Sequence, residues 1–270
     1  MKRTMIKKTD YKNISLSYEQ MGTGKPVVLL HGYLESLNIW DDFACRLSEN
    51  FRVVSIDLPG HGESGMLAET HTMDMMAEAV DHVLQTLDIK KSIVFGHSMG
   101  GYAALAYADL FPGKVAAYSL FHSSPKSDTE EKKENRGRII ELIKQGKKVQ
   151  VVNGHVPNTF ANDNVERFNE EIEWIKTLAI RTPDEGIIAA LKGMMERPDR
   201  SGVIERNDVP VLHIIGKKDN FIPFDVAENI AASSENIRKA VLENSGHMGF
   251  IEEKEKALNV CAEFIHSIDF

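Results

Sequence analysis

Cysteine is scarce. Cys45 and Cys261 are the only two in 270 residues, and they stand too far apart for a metal-binding or redox pair. They read as free thiols in or near the core, which fits a reducing compartment and a cytoplasmic location. Basic charge is also short: 32 Lys and Arg against 40 Asp and Glu leave a net charge of -8. Nucleic acid or an anionic membrane surface would need a basic face, so neither is an expected partner. No apolar run approaches the roughly 20 residues of a membrane span. None follows the basic Met1-Lys2-Arg3-Thr4 either, so no signal peptide is expected. The histidines show no H-x-H or H-E-x-x-H spacing, and there is no P-loop. Gly60-His61-Gly62 lacks the helix start and later glycine of a dinucleotide fingerprint. No metal and no cofactor are therefore expected.

The apolar fraction, 42%, is that of an ordinary globular chain, and the length suits one generous α/β domain with an insertion. Asn13 to Glu19 alternates with period two, as an antiparallel strand with one wet face should. Pro26–Leu30, Phe51–Ile56, Ser92–Phe95, Val115–Phe121, Val211–Ile215 and Ile237–Leu242 are short apolar runs that read as buried strands. Helical spacing separates most of them, over Leu37–Leu47, Thr72–Leu87, Met99–Leu110, Phe224–Ala232 and Glu252–Ile268. Such alternation implies a mostly parallel sheet, in which ligands bind beyond the strand carboxyl ends. Between about Ser123 and Asp199 the strands cease. That stretch opens with a charge run, Asp128–Arg138, read as the solvated start of a helix. Val165, Phe168, Ile172, Ile175 and Ala179 share one helical face. Thr182-Pro183-Asp184-Glu185 reads as a capping box with proline in the first turn. Residues 123–199 are thus expected to form an all-helical cap inserted in a core of residues 1–122 and 200–270.

The chemistry centres on Gly96-His97-Ser98-Met99-Gly100, set between a strand and a small-residue helix. This is the setting of a G-x-S-x-G nucleophile elbow, whose tight turn needs glycine on either side of the serine. The plain alternative makes Ser98 an N-cap for the next helix. Two further groups stand where strands end: Asp219 in Gly216-Lys217-Lys218-Asp219, and His247 in Ser245-Gly246-His247. Asp208 precedes its strand and Asp225 opens a helix, so Asp219 is preferred. Asp57 also ends a strand, but before the elbow, where it suits loop support.

In this order, serine, then acid, then histidine, the chain resembles the α/β-hydrolases across its core. His31-Gly32-Tyr33 is similar to their oxyanion turn, and Asp57–Ser64 to a loop common after their next strand. The resemblance implies an α/β-hydrolase fold with a mostly parallel eight-stranded sheet flanked by helices. It also implies a Ser98–Asp219–His247 triad and oxyanion donors from the backbone N–H groups of Tyr33 and Met99. The activity it implies is hydrolysis of a small carboxylic ester or thioester through an acyl-enzyme. Carbon–carbon bond hydrolysis, pyruvate elimination and a slow-turnover ligand receptor stay open on the same fold. Ser98 itself speaks against relatives that form an alkyl-enzyme, because those use aspartate there. His31 and His97 are expected as hydrogen-bonded supports, while His61 and His122 are candidates to reach the cleft. A substrate pocket is sketched from His31, Gly32, His97, His122, Phe160, Trp174, Met194, Phe221 and Met248. The partner is a small acyl compound, and oligomeric state is left open.

Overall fold

The computed structural model describes residues 5–206 and 208–270. Eight strands form one sheet: β1 (Lys7–Tyr11), β2 (Ile14–Met21), β3 (Pro26–Leu30), β4 (Arg52–Ile56), β5 (Ser92–His97), β6 (Val115–Phe121), β7 (Val211–Gly216) and β8 (Ile237–Leu242). Their spatial order is β1-β2-β4-β3-β5-β6-β7-β8. β1 and β2 run antiparallel to their neighbours, and every pairing from β4 to β8 is parallel. The strand at Lys7–Tyr11 was not read from the sequence. Its residues are mostly exposed, and it is held by pairing with β2 rather than by an apolar face.

β3 shows why the central strands form. Val27, Val28, Leu29 and Leu30 are all fully buried. At roughly 1.5–3 kcal/mol for each such side chain, burial outweighs any propensity difference between strand and loop. The helices are α1 (Asp41–Leu47), α2 (Met73–Thr86), α3 (Met99–Leu110), α4 (Glu130–Lys144), α5 (Lys148–His155), α6 (Asn169–Arg181), α7 (Asp184–Glu196), α8 (Ser201–Glu205), α9 (Phe224–Ala231), α10 (Gly249–Glu252) and α11 (Lys254–Ser267). α1 packs on α11 and α2 on α3. Among the described residues no helix is long and apolar enough to cross a membrane.

Several boundaries differ from expectation, each for a local reason. The helix expected over Leu37–Leu47 is a 3-10 turn, Leu37–Trp40, followed by α1. The turn forms because the Leu37 N–H is drawn to Asp57 Oδ1 at 2.7 Å. The expected C-terminal helix is broken at Glu253, whose carboxylate turns to the Asn244 N–H and the Ser245 hydroxyl. Thr182 does not close a capping box: Pro183 holds the N-cap position without a side-chain bond, and Lys148 bridges the Thr182 carbonyl and Asp184. The charge run is also not wholly solvated, since Asp128 is buried between Arg136 and Arg197. The helix expected over Thr72–Leu87 is α2, capped by Thr72, whose Oγ1 accepts from the Met75 N–H.

α4 to α8 all lie between β6 and β7, and they lean on the loops beyond the strand ends. The His247 N–H donates to the Thr159 carbonyl at 2.7 Å, and Asn220 Nδ2 donates to the carbonyls of Asn158 and Phe160. The chain rejoins the sheet near Arg200, whose guanidinium reaches Asp74 in α2 and Asp109 in α3.

Candidate active site

β5 delivers Ser98 into a strained turn with φ 49° and ψ -113°. Left-handed backbone at a serine is uncommon and persists only where the surroundings over-determine it. The surroundings do so here. A Cβ on Gly96 would lie 2.2 Å from the Gly100 carbonyl oxygen, and one on Gly100 would lie 2.3 Å from the Leu30 oxygen. The Ser98 N–H is held by the Phe121 carbonyl, and the Ser98 carbonyl by the Ser123 hydroxyl. Gly96, His97, Met99 and Gly100 are buried, whereas Ser98 is partly exposed. Although Ser98 stands at the N-cap position of α3, its side chain makes no cap bond. The turn therefore offers the hydroxyl outward rather than to the helix.

Asp219 and His247 meet beyond the ends of β7 and β8. His247 Nδ1–H donates to Asp219 Oδ2 at 2.7 Å, and Asp219 Oδ1 accepts the N–H groups of Phe221 and Ile222. Burial opposes charge on both, but each offsets that penalty for the other. The Asp219 carboxyl is held below its ordinary range and the His247 imidazole above its own. With Nδ1 occupied as a donor, Nε2 carries the free lone pair, the tautomer a general base requires. The rival carboxylates sit elsewhere: Asp208 pairs with Arg206, and Asp225 lies in the first turn of α9. Asp57 supports its loop, accepting the Leu37 and Glu63 N–H groups, and burial pushes it up to about 6.

A buried relay joins the turn carrying Ser98 to the loop carrying His247. Glu35 Oε2 accepts the Gly32 N–H at 2.6 Å and faces His97 Nδ1 at 3.0 Å. On its other side His97 Nε2 faces the His247 carbonyl at 2.9 Å. Both partners are oxygens, so the ring bridges the Glu35 carboxyl group and the loop that carries His247. Burial opposes charge on Glu35, yet His97 holds its carboxyl below the ordinary range. Sequence reasoning missed Glu35. The available signal was a carboxylate three residues after a turn glycine, placed to reach back to its amide. It also missed Glu252, which accepts the N–H groups of Ala161, Gly246 and Met248 and so shapes the turn carrying His247.

The remaining pocket candidates separate by position. The His31 ring donates from Nδ1 to the Gly32 carbonyl and accepts the Leu58 N–H at Nε2; burial pushes it down to about 4 and keeps it neutral. His122 is wedged between the N–H groups of Gly216 and Gly249, and burial keeps it uncharged. His61 is buried beneath His31, their rings 5.1 Å apart. Phe221 lies 5.2 Å from the His247 ring and 5.1 Å from that of His155, a residue of α5 not foreseen at the site. Phe160, Met194 and Met248 are buried, while Trp174 stands on the outside of α6 at 37% exposure. Because the Gly32 N–H is taken by Glu35, the next amide in the turn is that of Tyr33. Among the described residues neither the Tyr33 nor the Met99 N–H makes a hydrogen bond within the chain.

Comparison with known proteins bears on the fold and the family. A family profile described as the alpha/beta hydrolase fold matches residues 25–254. A relative from Bacillus subtilis (strain 168), the AB hydrolase superfamily protein YisY, is 28% identical, with 95% of this chain and 97% of that protein aligned. A pimeloyl-[acyl-carrier protein] methyl ester esterase of Methylococcus capsulatus is 26% identical over 94% of this chain and 100% of its own. Among solved structures, a thermophilic esterase from Thermogutta terrifontis superposes with a TM-score of 0.92 at 29% identity, covering 97% of this chain and 98% of that one. With sheet, strand order and a near-complete family match in accord, the chain belongs to the α/β-hydrolase fold family, as an enzyme of its esterase-like hydrolases.

Proposed function

We propose that the protein is a serine hydrolase that cleaves a small carboxylic ester through an acyl-enzyme intermediate. One observation carries the reading: a histidine fixed by a buried carboxylate at 2.7 Å has its backbone carbonyl bonded to His97, the residue that precedes a strained, partly exposed serine. Ser98 Oγ attacks the ester carbonyl while His247 Nε2 takes its proton. Asp219 holds the tautomer and steadies the imidazolium that forms. The oxyanion accepts from the Tyr33 and Met99 N–H groups, each worth about 3–4 kcal/mol at comparable sites. His247 then returns the proton to the departing alcohol, leaving the acyl group on Ser98. Water repeats the sequence with His247 as base, releasing the acid. Residues 123–199 serve as the lid that shapes the acyl pocket, with Phe160 and Phe221 facing the base loop.

A fluorophosphonate probe should label Ser98 and no other serine, as mapped by peptide mass spectrometry. The labelling rate should fall as pH drops through the His247 pKa. That pKa is raised in the fold, so the midpoint should lie above about 6.5. A midpoint well below that value would mean that another group activates Ser98.

Glu35 is a positioning residue in this scheme. Glu35→Gln replaces the carboxylate oxygen shared by the Gly32 N–H and His97 Nδ1, so the link between the oxyanion turn and the base loop is weakened. We expect kcat to fall about tenfold to a hundredfold with KM little changed, since sub-ångström misplacement acts on the chemical step. A rise in KM at constant kcat would instead indicate that Glu35 only shapes the pocket.

A further inference from the structure

The helical insert carries a surplus cation that ester chemistry leaves unused. Buried Asp128 accepts from Arg136 Nε at 2.6 Å and Nη2 at 3.3 Å, and pairs with Arg197 Nη1 at 2.7 Å. Two guanidiniums thus share one carboxylate, and one positive charge is left over. Arg136 keeps 19% of its side chain exposed against 4% for Arg197, so the surplus charge sits on a half-buried guanidinium where an anion is favoured. Arg197 is fully engaged: it also donates to the carbonyls of Met194 and Lys126 and lies 3.9 Å from the Tyr102 ring centroid. Arg136 is not. Its hydrogen bonds all go to Asp128 through Nε and Nη2, and among the described residues Nη1 has none.

A second, independent feature lies beside it. The Tyr33 hydroxyl is buried without a hydrogen-bond partner, in a residue only 8% exposed. A buried phenol normally finds a partner, so this one is a donor awaiting an acceptor. Burial pushes the Tyr33 pKa up, and the charge of Arg136 is near enough to pull against that. The same charge reaches His155, whose ring meets Tyr33 edge-on at 5.4 Å and which burial already holds down to about 4. Tyr33 and His155 are thus in ring contact at the oxyanion turn, within range of the Arg136 charge.

We propose that the free edge of Arg136 and the Tyr33 hydroxyl bind a carboxylate on the substrate, so that the preferred substrates are half-esters of short dicarboxylic acids. The proposal rests on the serine-hydrolase reading above and deepens it. A single surplus charge matches a monoanion, and a guanidinium edge with an adjacent O–H suits the planar carboxylate. The chain between ester and acid must be short, because Tyr33 serves both ends, offering its amide to one and its phenol to the other. The reaction itself is unchanged: water adds, the alcohol leaves, and the distal carboxylate takes no part in bond making.

The test compares kcat/KM for monomethyl succinate and monomethyl glutarate with that for dimethyl glutarate and methyl butyrate. A charge-assisted contact predicts about a ten- to hundredfold preference for the half-esters. Arg136→Gln leaves Asp128 paired with Arg197 and should collapse the ratio of half-ester to diester. Tyr33→Phe keeps the backbone amide and should reduce the same ratio. Glutarate alone should raise the Tm of the wild type and not that of Arg136→Gln. Should Arg136→Gln fail to fold, the Tyr33→Phe ratio and the glutarate shift of the wild type still decide. Equal rates on charged and neutral esters with no glutarate shift would overturn the proposal while leaving the hydrolase reading intact. A preference for phosphate- or sulfate-bearing esters would overturn it as well. No cleavage of any ester, with Ser98 unlabelled by the fluorophosphonate, would instead remove the reading on which it stands.

Discussion

Ser98→Ala should lower kcat on every ester substrate by about six orders of magnitude, because the members of a triad act as a unit. That corresponds to about 8 kcal/mol of lost transition-state stabilisation. The loss should be chemical and not structural. The Ser98 hydroxyl makes no hydrogen bond among the described residues, and the turn is held through the Ser98 N–H on the Phe121 carbonyl and the Ser98 carbonyl on the Ser123 hydroxyl. Alanine suffers the same strain at φ 49° as serine, so stability should change by no more than about 0.5 kcal/mol. Ser98→Gly makes a useful companion. It should be as inactive, yet more stable by about 1 kcal/mol, since glycine adopts this backbone freely. Steady-state kinetics with active-site titration and a thermal melt separate the two effects. Near-normal turnover by the alanine variant would end the mechanism.

Asp219→Asn should cost about four orders of magnitude in kcat, the size found when the corresponding carboxylate of a serine protease is neutralised. The geometry explains why an isosteric change is so damaging. The N–H groups of Phe221 and Ile222 both point at Oδ1, so an asparagine must keep its carbonyl oxygen there. Its amide nitrogen then faces His247 Nδ1, now forced to accept. The proton moves to Nε2, and the lone pair is lost on the side of the nucleophile. The pH profile offers a second readout. Asp219 is a charge that raises the His247 pKa against the opposing pull of burial, so the acid limb of the residual activity should shift to lower pH. If the limb stayed where it is in the wild type, some other carboxylate would be setting the base.

Much of the core was legible from residue order. β3, β5, β6 and β7 are continuous apolar runs because both faces of a central parallel strand are covered, and such runs stand out without any partner in view. The elbow was legible for another local reason: two glycines around a serine between strand and helix answer a steric demand set by neighbours in sequence. β1 left no such trace, since an exposed edge strand carries little apolar pattern and exists by pairing alone. The roles of Glu35, Glu252 and Asp128 were illegible for a related reason. A charged residue reads as solvated unless its partners are known, and theirs are remote in the chain. Glu35 meets His97, Glu252 meets Ala161, and Asp128 meets Arg197.

Residue order alone therefore determined the alternating core and the three side chains offered at the strand ends, because backbone sterics and apolar periodicity act over a few neighbours. Only the folded chain decided how those side chains are held. It gave Asp219 its two amides, bound His97 between Glu35 and the His247 carbonyl, and gathered Arg136 and Arg197 on the one carboxylate of Asp128. Hydrogen bonds and buried charges depend on distance in space and on the removal of water. Neither quantity exists until the sheet has brought distant segments together.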